Sequence, residues 1–312
     1  VLVSFWVITI TLEGIIRAVF MLLRILLLVA AYFVYGRIVE KYLDVDPSRR
    51  TPAYERGDGV DYQPLPTWKV FIIQFLNIAG LGPIFGAIMG AAYGPIAYLW
   101  IVLGCVFMGA AHDYTAGMLS LRQNGASLND VIGRYLGKGF TKFITFVIVI
   151  LLFAVGTSFI SGPAGLLQQL SGIDLKIWLV VIFLYYIIAT LLPIDKIIGT
   201  VYPYLGGVLL FMAAAVGGAL LVHGIAGDIT LVELTPETFH SYKSNSDEYM
   251  LIPMLFIVIS CGAISGFHAT QSPLMARCMG NEKYGRPIFY GAMIAEGRVT
   301  CIWATAAMAY FG

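Results

Sequence analysis

The chain has 312 residues, of which 59% are hydrophobic and only 12% are charged, and its mean hydropathy is +0.84. Because a soluble domain carries about 25% charged residues, this composition excludes an ordinary soluble domain. Several apolar runs reach the roughly 20 residues that a helix needs to cross a bilayer, so we predict an all-α polytopic membrane protein within a lipid bilayer. The net charge of +1 points to no nucleic-acid partner.

Apolar runs divide the chain into about eight predicted transmembrane helices. The segment before the first of them, Val1 to Leu12, is interpreted as an interfacial or helical extension. Glu13 and Arg17 follow, and their spacing of four residues lets them pair on one helix face. The predicted spans are 15–36, 70–90, 95–120, 143–164, 176–193, 199–223, 250–270 and 287–311.

The polar stretches between the spans set the predicted orientation. The stretch 37–69 is rich in Pro, Asp and Gly, which predicts turns rather than helix, and 121–142 is a basic polar loop. Counting the spans alternately places 14 Lys and Arg residues on the side of these loops, named side X, and two on the opposite side Y. Because cytoplasmic loops are rich in Lys and Arg, we expect side X to be cytoplasmic, the N-terminus to lie outside, and the protein to reside in the inner (plasma) membrane.

The four cysteines form no C-x-x-C pair. We therefore interpret Cys105, Cys261, Cys278 and Cys301 as small membrane-core residues, and expect no metal site, disulfide framework or cofactor.

The stretch Gln74 to Gly90, QFLNIAGLGPIFGAIMG, is apolar but poorly suited to an unbroken helix. Gly80, Gly82 and Pro83 lie in its middle, and proline removes a backbone donor and clashes with the preceding turn. Glycine recurs every four residues from Gly82 to Gly90, which leaves one side of the following half-helix as bare backbone. Such a break is tolerated at membrane depth only where protein or a wet cavity satisfies the freed backbone groups.

A second interrupted stretch, ISCGAISGFHATQSP, covers 259–273 and contains Gly262, Gly266 and Pro273. Five spans separate the starts of the two stretches, so they cross the membrane in opposite senses, as in an inverted repeat of five helices. Paired interrupted helices at matching places in two halves indicate a transporter binding site. The alternative is that these glycines serve only close helix packing.

This spacing predicts a domain order. Residues 1–36 form an N-terminal extension and a peripheral transmembrane helix, 37–69 a cytoplasmic loop, 70–223 the first five-helix repeat, 224–249 an extracytoplasmic loop, and 250–312 the start of a second repeat.

Polar residues and backbone breaks in the two interrupted stretches form the predicted substrate site. Gln74 and Asn77 precede the first break and could bind a ligand carboxylate or amide, or could instead be satisfied buried amides. His268 could contact substrate or act as a gate, or could make a structural hydrogen bond. The predicted substrate-binding residues are Asn77, Gly80, Gly82, Pro83, Gly262, Ser265, Gly266, His268 and Gln271.

Three ionisable residues in the spans are candidates for proton coupling. An intramembrane carboxylate is a functional-site hypothesis by default, which applies to Asp113 and to Glu296, although Asp113 could instead hold a helix end. His112 could relay protons near neutral pH or could be a satisfied core histidine. Arg298 lies two residues after Glu296, a spacing at which helical side chains point apart, so we expect no pair between them.

Motifs of soluble enzymes are absent from the sequence, which has no G-x-S-x-G, H-E-x-x-H or phosphate-binding loop. We therefore expect no enzyme activity and no catalytic residues. An intramembrane hydrolase using Ser265 and His268 and a channel-like or sensory protein are the alternatives to a transporter.

Five motifs resemble the carbon starvation protein A (CstA) family. They are TPAYERGDGVDYQPLPTWKVF, NIAGLGPIFGAIMG, AAHDYTAGMLSLRQNGAS, CGAISGFHATQSPLMARC and NEKYGRPIFYGAMIAEG, and the resemblance runs from about Ala31 to Trp303. It implies an inner-membrane secondary transporter, induced on carbon starvation, that takes up peptides or, in some members, pyruvate with a coupling proton or sodium ion. It also implies a LeuT-type arrangement of the inverted five-helix repeat.

Two features depart from that family. Members are usually longer, and only two helices of the second repeat precede Gly312, so we expect this chain to be part of a longer one, as its start at Val1 rather than Met also indicates. Arg298 occupies a position where an apolar residue is expected.

Because Val1 to Tyr35 has no basic start, we predict no cleavable signal peptide.

Overall fold

A computed structural model describes residues 2–191, 194–236, 238 and 268–311. In this part of the chain every regular element is a helix. The helices are α1 (Leu2–Phe33), α2 (Tyr35–Tyr42), α3 (Pro52–Glu55), α4 (Thr67–Ile78), α5 (Leu81–Ala91), α6 (Ile96–Leu103), α7 (Ala110–Arg122), α8 (Leu128–Leu136), α9 (Lys138–Ser171), α10 (Leu175–Leu191), α11 (Ile194–Ala226), α12 (His268–Ala276) and α13 (Gly291–Phe311).

Four helical stretches among the described residues are long and apolar enough to cross a membrane. They are Leu12–Tyr42, Ile96–Arg122, Lys138–Ser171 and Val201–Ala226, and a fifth results if the bent pair α4 and α5 counts as one span. These five correspond to predicted spans and support a multi-pass all-α membrane protein. Three predicted spans remain. The span 176–193 contains the shorter apolar helix Leu175–Thr190, and 287–311 contains α13, which is not among the helices that are long and apolar enough to cross a membrane. The span 250–270 lies almost wholly outside the described residues, so the helix count of eight stays a prediction.

The first predicted break is confirmed. Helix α4 ends at Ile78, α5 begins at Leu81, and the two helices are bent by 44°. Pro83 lies in the first turn of α5, where a missing N–H removes no intrahelical bond. The interruption therefore falls before the proline, at Ala79 and Gly80.

The second predicted break cannot be compared in the same way. Gly262, Ser265 and Gly266 lie outside the described residues, and α12 begins at His268. The inverted repeat and the domain order therefore stay predictions.

The sequence Ser161-Gly162-Pro163 predicts the end of the span 143–164. This prediction is wrong, because α9 continues through Pro163 to Ser171. Proline has no N–H to donate to the carbonyl four residues earlier, which is that of Phe159. Tyr186 on the neighbouring helix α10 donates its hydroxyl to this carbonyl at 3.1 Å. A side chain from another helix thus replaces the missing bond, as neighbouring helices do for prolines in membranes.

Two predicted loops contain more helix than expected. The stretch 121–142 includes α8, whose N-cap Ser127 accepts a hydrogen bond from the backbone N–H of Asp130, a capping pattern that stabilises the start of a helix. The stretch 37–69 begins within α2 and includes the single turn α3. The expected pair of Glu13 and Arg17 is present at 3.7 Å.

The main core lies where α4, α5, α6, α7, α12 and α13 pack together. Helix α5 packs against α13, and α7 packs against α12. Helices α9 and α10 pack on each other and expose large apolar side chains such as Phe153 and Phe183, as expected of lipid-facing helices. The polar residues described next are thus enclosed by the core helices.

Candidate functional site

Asp113, in the first turn of α7, is fully buried. The Gln74 side chain of α4 donates its Nε2 to both carboxyl oxygens of Asp113, at 3.1 and 2.8 Å. Ser272 of α12 donates its hydroxyl to the carboxyl oxygen Oδ1. Three helices therefore meet at one buried carboxyl group, which we name the Asp113 centre (Gln74, Asp113 and Ser272).

The Asp113 centre connects the two interrupted stretches of the sequence. Gln74 lies four residues before the end of α4, just ahead of the first break, and Ser272 lies in the second stretch, beyond its glycines. Because a buried carboxyl group without donors would be costly, these hydrogen bonds stabilise Asp113 at this depth. The carbonyl oxygen of Gln74 has no partner among the described residues.

His268 and His112 lie close to each other beside α13. Their ring centroids are 5.7 Å apart, although His268 is fully buried and His112 is exposed. The His268 Nε2 lies 2.9 Å from the sulfur of Met293. Its Nδ1 is buried and has no partner in the described part of the chain, so the ring retains one polar atom for a further contact.

Glu296 lies in α13 and is fully buried. Both of its carboxyl oxygens lack a hydrogen-bond partner among the described residues. Arg298 is half-buried and forms no ion pair with Glu296 or with any other described acidic residue. The expectation that Glu296 and Arg298 do not pair is confirmed for this part of the chain.

The contacts of the first break match the structural alternatives that the sequence left open, a satisfied amide and close helix packing. Asn77 donates its side-chain N–H to the carbonyl of Ile73 in its own helix, at 2.8 Å, which matches a satisfied amide. Gly86 and Gly90 are buried, whereas Met89 between them is exposed. The glycine face of α5 therefore points inwards, and α5 packs closely against α13.

The structure brings together only part of the predicted set. Asp113 and His268 are buried in one region with Gln74 and Ser272, and Gln271 is buried next to Ser272 on α12. The exposed His112 touches this region through its ring contact with His268. Gly82 and Pro83 lie on α5, beyond the break. No described group of three His, Cys, Asp or Glu side chains could hold a metal ion.

The sequence did not identify two contact residues of the site, Ser272 and Met293. It identified Gln74 as a candidate ligand but not as a partner of Asp113. Ser272 was one of several hydroxyl residues in its stretch, and no local signal selects it. Met293 reads as an ordinary apolar residue of the last span. Gln74 was a candidate ligand beside Asn77, and its position one turn earlier is what directs it to Asp113.

Comparison with known proteins relates the chain to a family of membrane proteins. The family model described as "Carbon starvation protein CstA" matches residues 17–161 and 139–311. An "Uncharacterized membrane protein" of Haemophilus influenzae is 43% identical over 91% of this chain and 89% of its own length. No solved structure matches the chain.

Two relatives with named activities are more distant. The "Pyruvate/proton symporter BtsT" of Escherichia coli is 27% identical over 86% of this chain and 46% of its own length. The "Peptide transporter CstA" of Campylobacter jejuni is 29% identical over 86% of this chain and also 46% of its own length. The chain thus spans about half the length of these transporters.

Proposed function

Because this chain belongs to the carbon starvation protein CstA family, we propose that it acts in secondary active transport. The proposed substrate is a peptide or a small carboxylate such as pyruvate, taken up across the inner membrane with a coupling proton. The names of the relatives, peptide transporters and a pyruvate/proton symporter, support this substrate range.

The observation that carries the proposal is the Asp113 centre. A buried carboxyl group receives donors from α4, which ends at a helix break, and from α12, which continues the other glycine-interrupted stretch. Proton relays in transporters use buried acidic groups of this kind. A movement of either helix would change the donors to Asp113 and with them its tendency to hold a proton.

The remaining residues take roles around this centre. Asp113 carries the coupling proton, and His112 and Glu296 are the further groups through which a proton could pass. Substrate lies near the break between α4 and α5, with His268 and Gln271 on its α12 side. The other proposed contacts are Asn77, Gly80, Gly82 and Pro83 at the first break and Gly262, Ser265 and Gly266 at the second.

Alternating access would come from rocking of the two repeats around this site. The proposal is tested by uptake into proteoliposomes of labelled dipeptide and of pyruvate, each under an imposed proton or sodium gradient. Accumulation that follows the proton gradient and collapses with an uncoupler supports the proposal. Substrate flux that equilibrates without accumulating under any gradient would favour a channel.

Substitution of Asp113 tests its role within this mechanism. We expect Asp113→Asn to lose proton-driven accumulation while keeping substrate exchange, because the one amide oxygen of asparagine can still accept from Gln74 and Ser272 but asparagine cannot release a proton. Asp130→Asn, at the exposed start of α8, is the matched control and should accumulate substrate normally. An unchanged pH profile of uptake in Asp113→Asn would remove Asp113 as the proton carrier.

A further inference from the structure

Arg298 is a charged residue in a membrane helix without a described counter-ion. It lies in α13 and is half-buried. None of the ion pairs or hydrogen bonds among the described residues involves its guanidinium group, and the carboxyl group of Glu296 is fully buried without a described partner. Because arginine at membrane depth is costly unless it is paired or reaches the interface, an anionic group other than the described side chains would stabilise Arg298.

A cavity of about 270 Å³ lies in front of Arg298. Its walls are apolar and aromatic side chains of α1, α4, the π-helical segment Arg286–Tyr290 before α13, and α13 itself, with Tyr32, Phe33 and Phe71 among them. Phe33, at the rim, is 48% exposed, so the cavity opens towards the outer surface of the helix bundle. Among the described residues that line the cavity, Arg298 is the one cationic group, and the other lining side chains suit hydrocarbon.

The first residues of α4 show at which level of the membrane this cavity lies. Trp68 and Lys69 precede Phe71, and Trp68 is 54% exposed. Aromatic and basic residues of this kind mark the boundary between membrane and water. Helical side chains tilt towards the N-terminus of their helix. Helix α13 starts on the same side as the boundary that Trp68 and Lys69 mark. The Arg298 side chain therefore extends towards the headgroup region of side X.

We propose that this cavity binds an anionic phospholipid of the side X leaflet. The lipid phosphate pairs with the Arg298 guanidinium, which has five donors in a planar fork suited to phosphate. The upper part of the lipid packs against the rings of Tyr32 and Phe71, and the rest extends over the lipid-facing surface. Charge complementarity selects this occupant over a neutral lipid, and the site is separate from the Asp113 centre.

Gly291 keeps the cavity open. A Cβ atom at this position would lie 3.3 Å from a ring carbon of Tyr32 and 3.8 Å from one of Phe71. A larger side chain would therefore occupy the space between the two rings. Gly291→Leu fills the cavity without removing the charge and serves as a second, independent variant.

Native mass spectrometry of the purified protein tests the proposal, with phosphatidylglycerol and phosphatidylcholine as probes. We expect wild-type protein to retain phosphatidylglycerol in preference to phosphatidylcholine. Arg298→Gln should bind phosphatidylglycerol roughly tenfold more weakly, the effect of losing one charge-assisted hydrogen bond. Arg17→Gln is the matched control, because Arg17 is an arginine of α1 that already has Glu13 and Glu233 as partners.

Four outcomes would overturn the proposal. Equal retention of the two lipids by wild-type protein would show that charge does not select the occupant. Equal loss of phosphatidylglycerol in Arg17→Gln and Arg298→Gln would show a general charge effect. Competition by inorganic phosphate as strong as that by phosphatidylglycerol would identify a free-anion site. If Arg298→Gln fails to fold, undiminished phosphatidylglycerol binding by Gly291→Leu is the result that contradicts the proposal.

Discussion

At the scale of single residues, two buried carboxyl groups in described helices of the predicted spans, Asp113 and Glu296, are in opposite situations. Asp113 accepts hydrogen bonds from Gln74 and Ser272, whereas Glu296 has no described partner. The sequence could predict that both lie at membrane depth, because each falls inside an apolar run. It could not predict their partners, because Gln74 and Ser272 are 39 and 159 residues away from Asp113 along the chain.

The difference between these carboxyl groups leads to a prediction for Glu296→Gln. Glutamine has nearly the same shape and no charge, and no described donor is lost, so we expect the free energy of unfolding to change by less than about 1 kcal/mol. Proton-driven accumulation should fall if Glu296 exchanges protons with the Asp113 centre. Denaturant unfolding in detergent and uptake into proteoliposomes measure the two effects.

The opposite result for Glu296→Gln would have a clear meaning. Breaking a buried ion pair costs about 3–5 kcal/mol. A loss of that size would show that Glu296 holds a structural partner and does not serve as a free proton site.

At the scale of elements, proline and glycine had different consequences at two places in the chain. Between α4 and α5 the helix is bent by 44°, as the local chemistry of Gly80 and Pro83 predicts. At Pro163 the same chemistry predicted a helix end, yet α9 continues because Tyr186 of α10 supplies the missing donor. Local sequence thus predicts where a backbone bond is lost, but a partner from another helix decides whether the helix ends there.

The bend between α4 and α5 can be tested by Gly82→Leu. We expect this variant to insert and fold normally, because leucine favours helix over glycine by roughly 1 kcal/mol. Transport should nevertheless be abolished, because the side chain occupies the first turn after the break, next to the proposed substrate. Uptake assays and the yield of folded protein from membranes measure the two effects.

Gly156→Leu is the matched control for this substitution. Gly156 lies in α9, and a Cβ atom there would have no neighbour within 4 Å, so we expect normal transport. If Gly82→Leu also transports normally, the break has only a packing role.

At the scale of the whole molecule, Glu282 connects three distant segments on side X. Its carboxyl group pairs with Arg49 at 2.8 Å and with Arg122 at 3.2 Å, and it accepts the backbone N–H of Asp46 at 3.0 Å. Arg122 ends α7, the helix that carries Asp113. The excess of basic residues on side X was evident from the sequence, but which acidic residue they would surround depended on the fold.

The surroundings of Glu282 determine the pH dependence of its contribution to stability. Burial raises the pKa of Glu282, but the hydrogen bonds from Arg122, from the Asp46 backbone and from Arg49 outweigh burial and lower the pKa below its ordinary value of 4.5. A carboxyl group with a lowered pKa in the folded state stabilises that state above its unfolded pKa. This stabilisation is therefore complete above about pH 4.5 and is lost as the pH falls through the lowered, folded value.

We therefore expect Glu282→Gln to lower the free energy of unfolding at pH 7 by about 1–3 kcal/mol, towards the low end because Arg49 and Arg122 are 41% and 27% exposed. The difference between wild type and variant should shrink as the pH falls below about 4.5, because wild-type Glu282 then becomes protonated.

Asp61→Asn is the control: Asp61 is 49% exposed and 3.9 Å from Arg277, so its loss should cost no more than roughly 0.5 kcal/mol. Denaturant unfolding in detergent between pH 3 and 7 measures these free energies of unfolding. If the difference between wild type and Glu282→Gln stays constant across this range, the stabilisation does not come from the ionised carboxyl group.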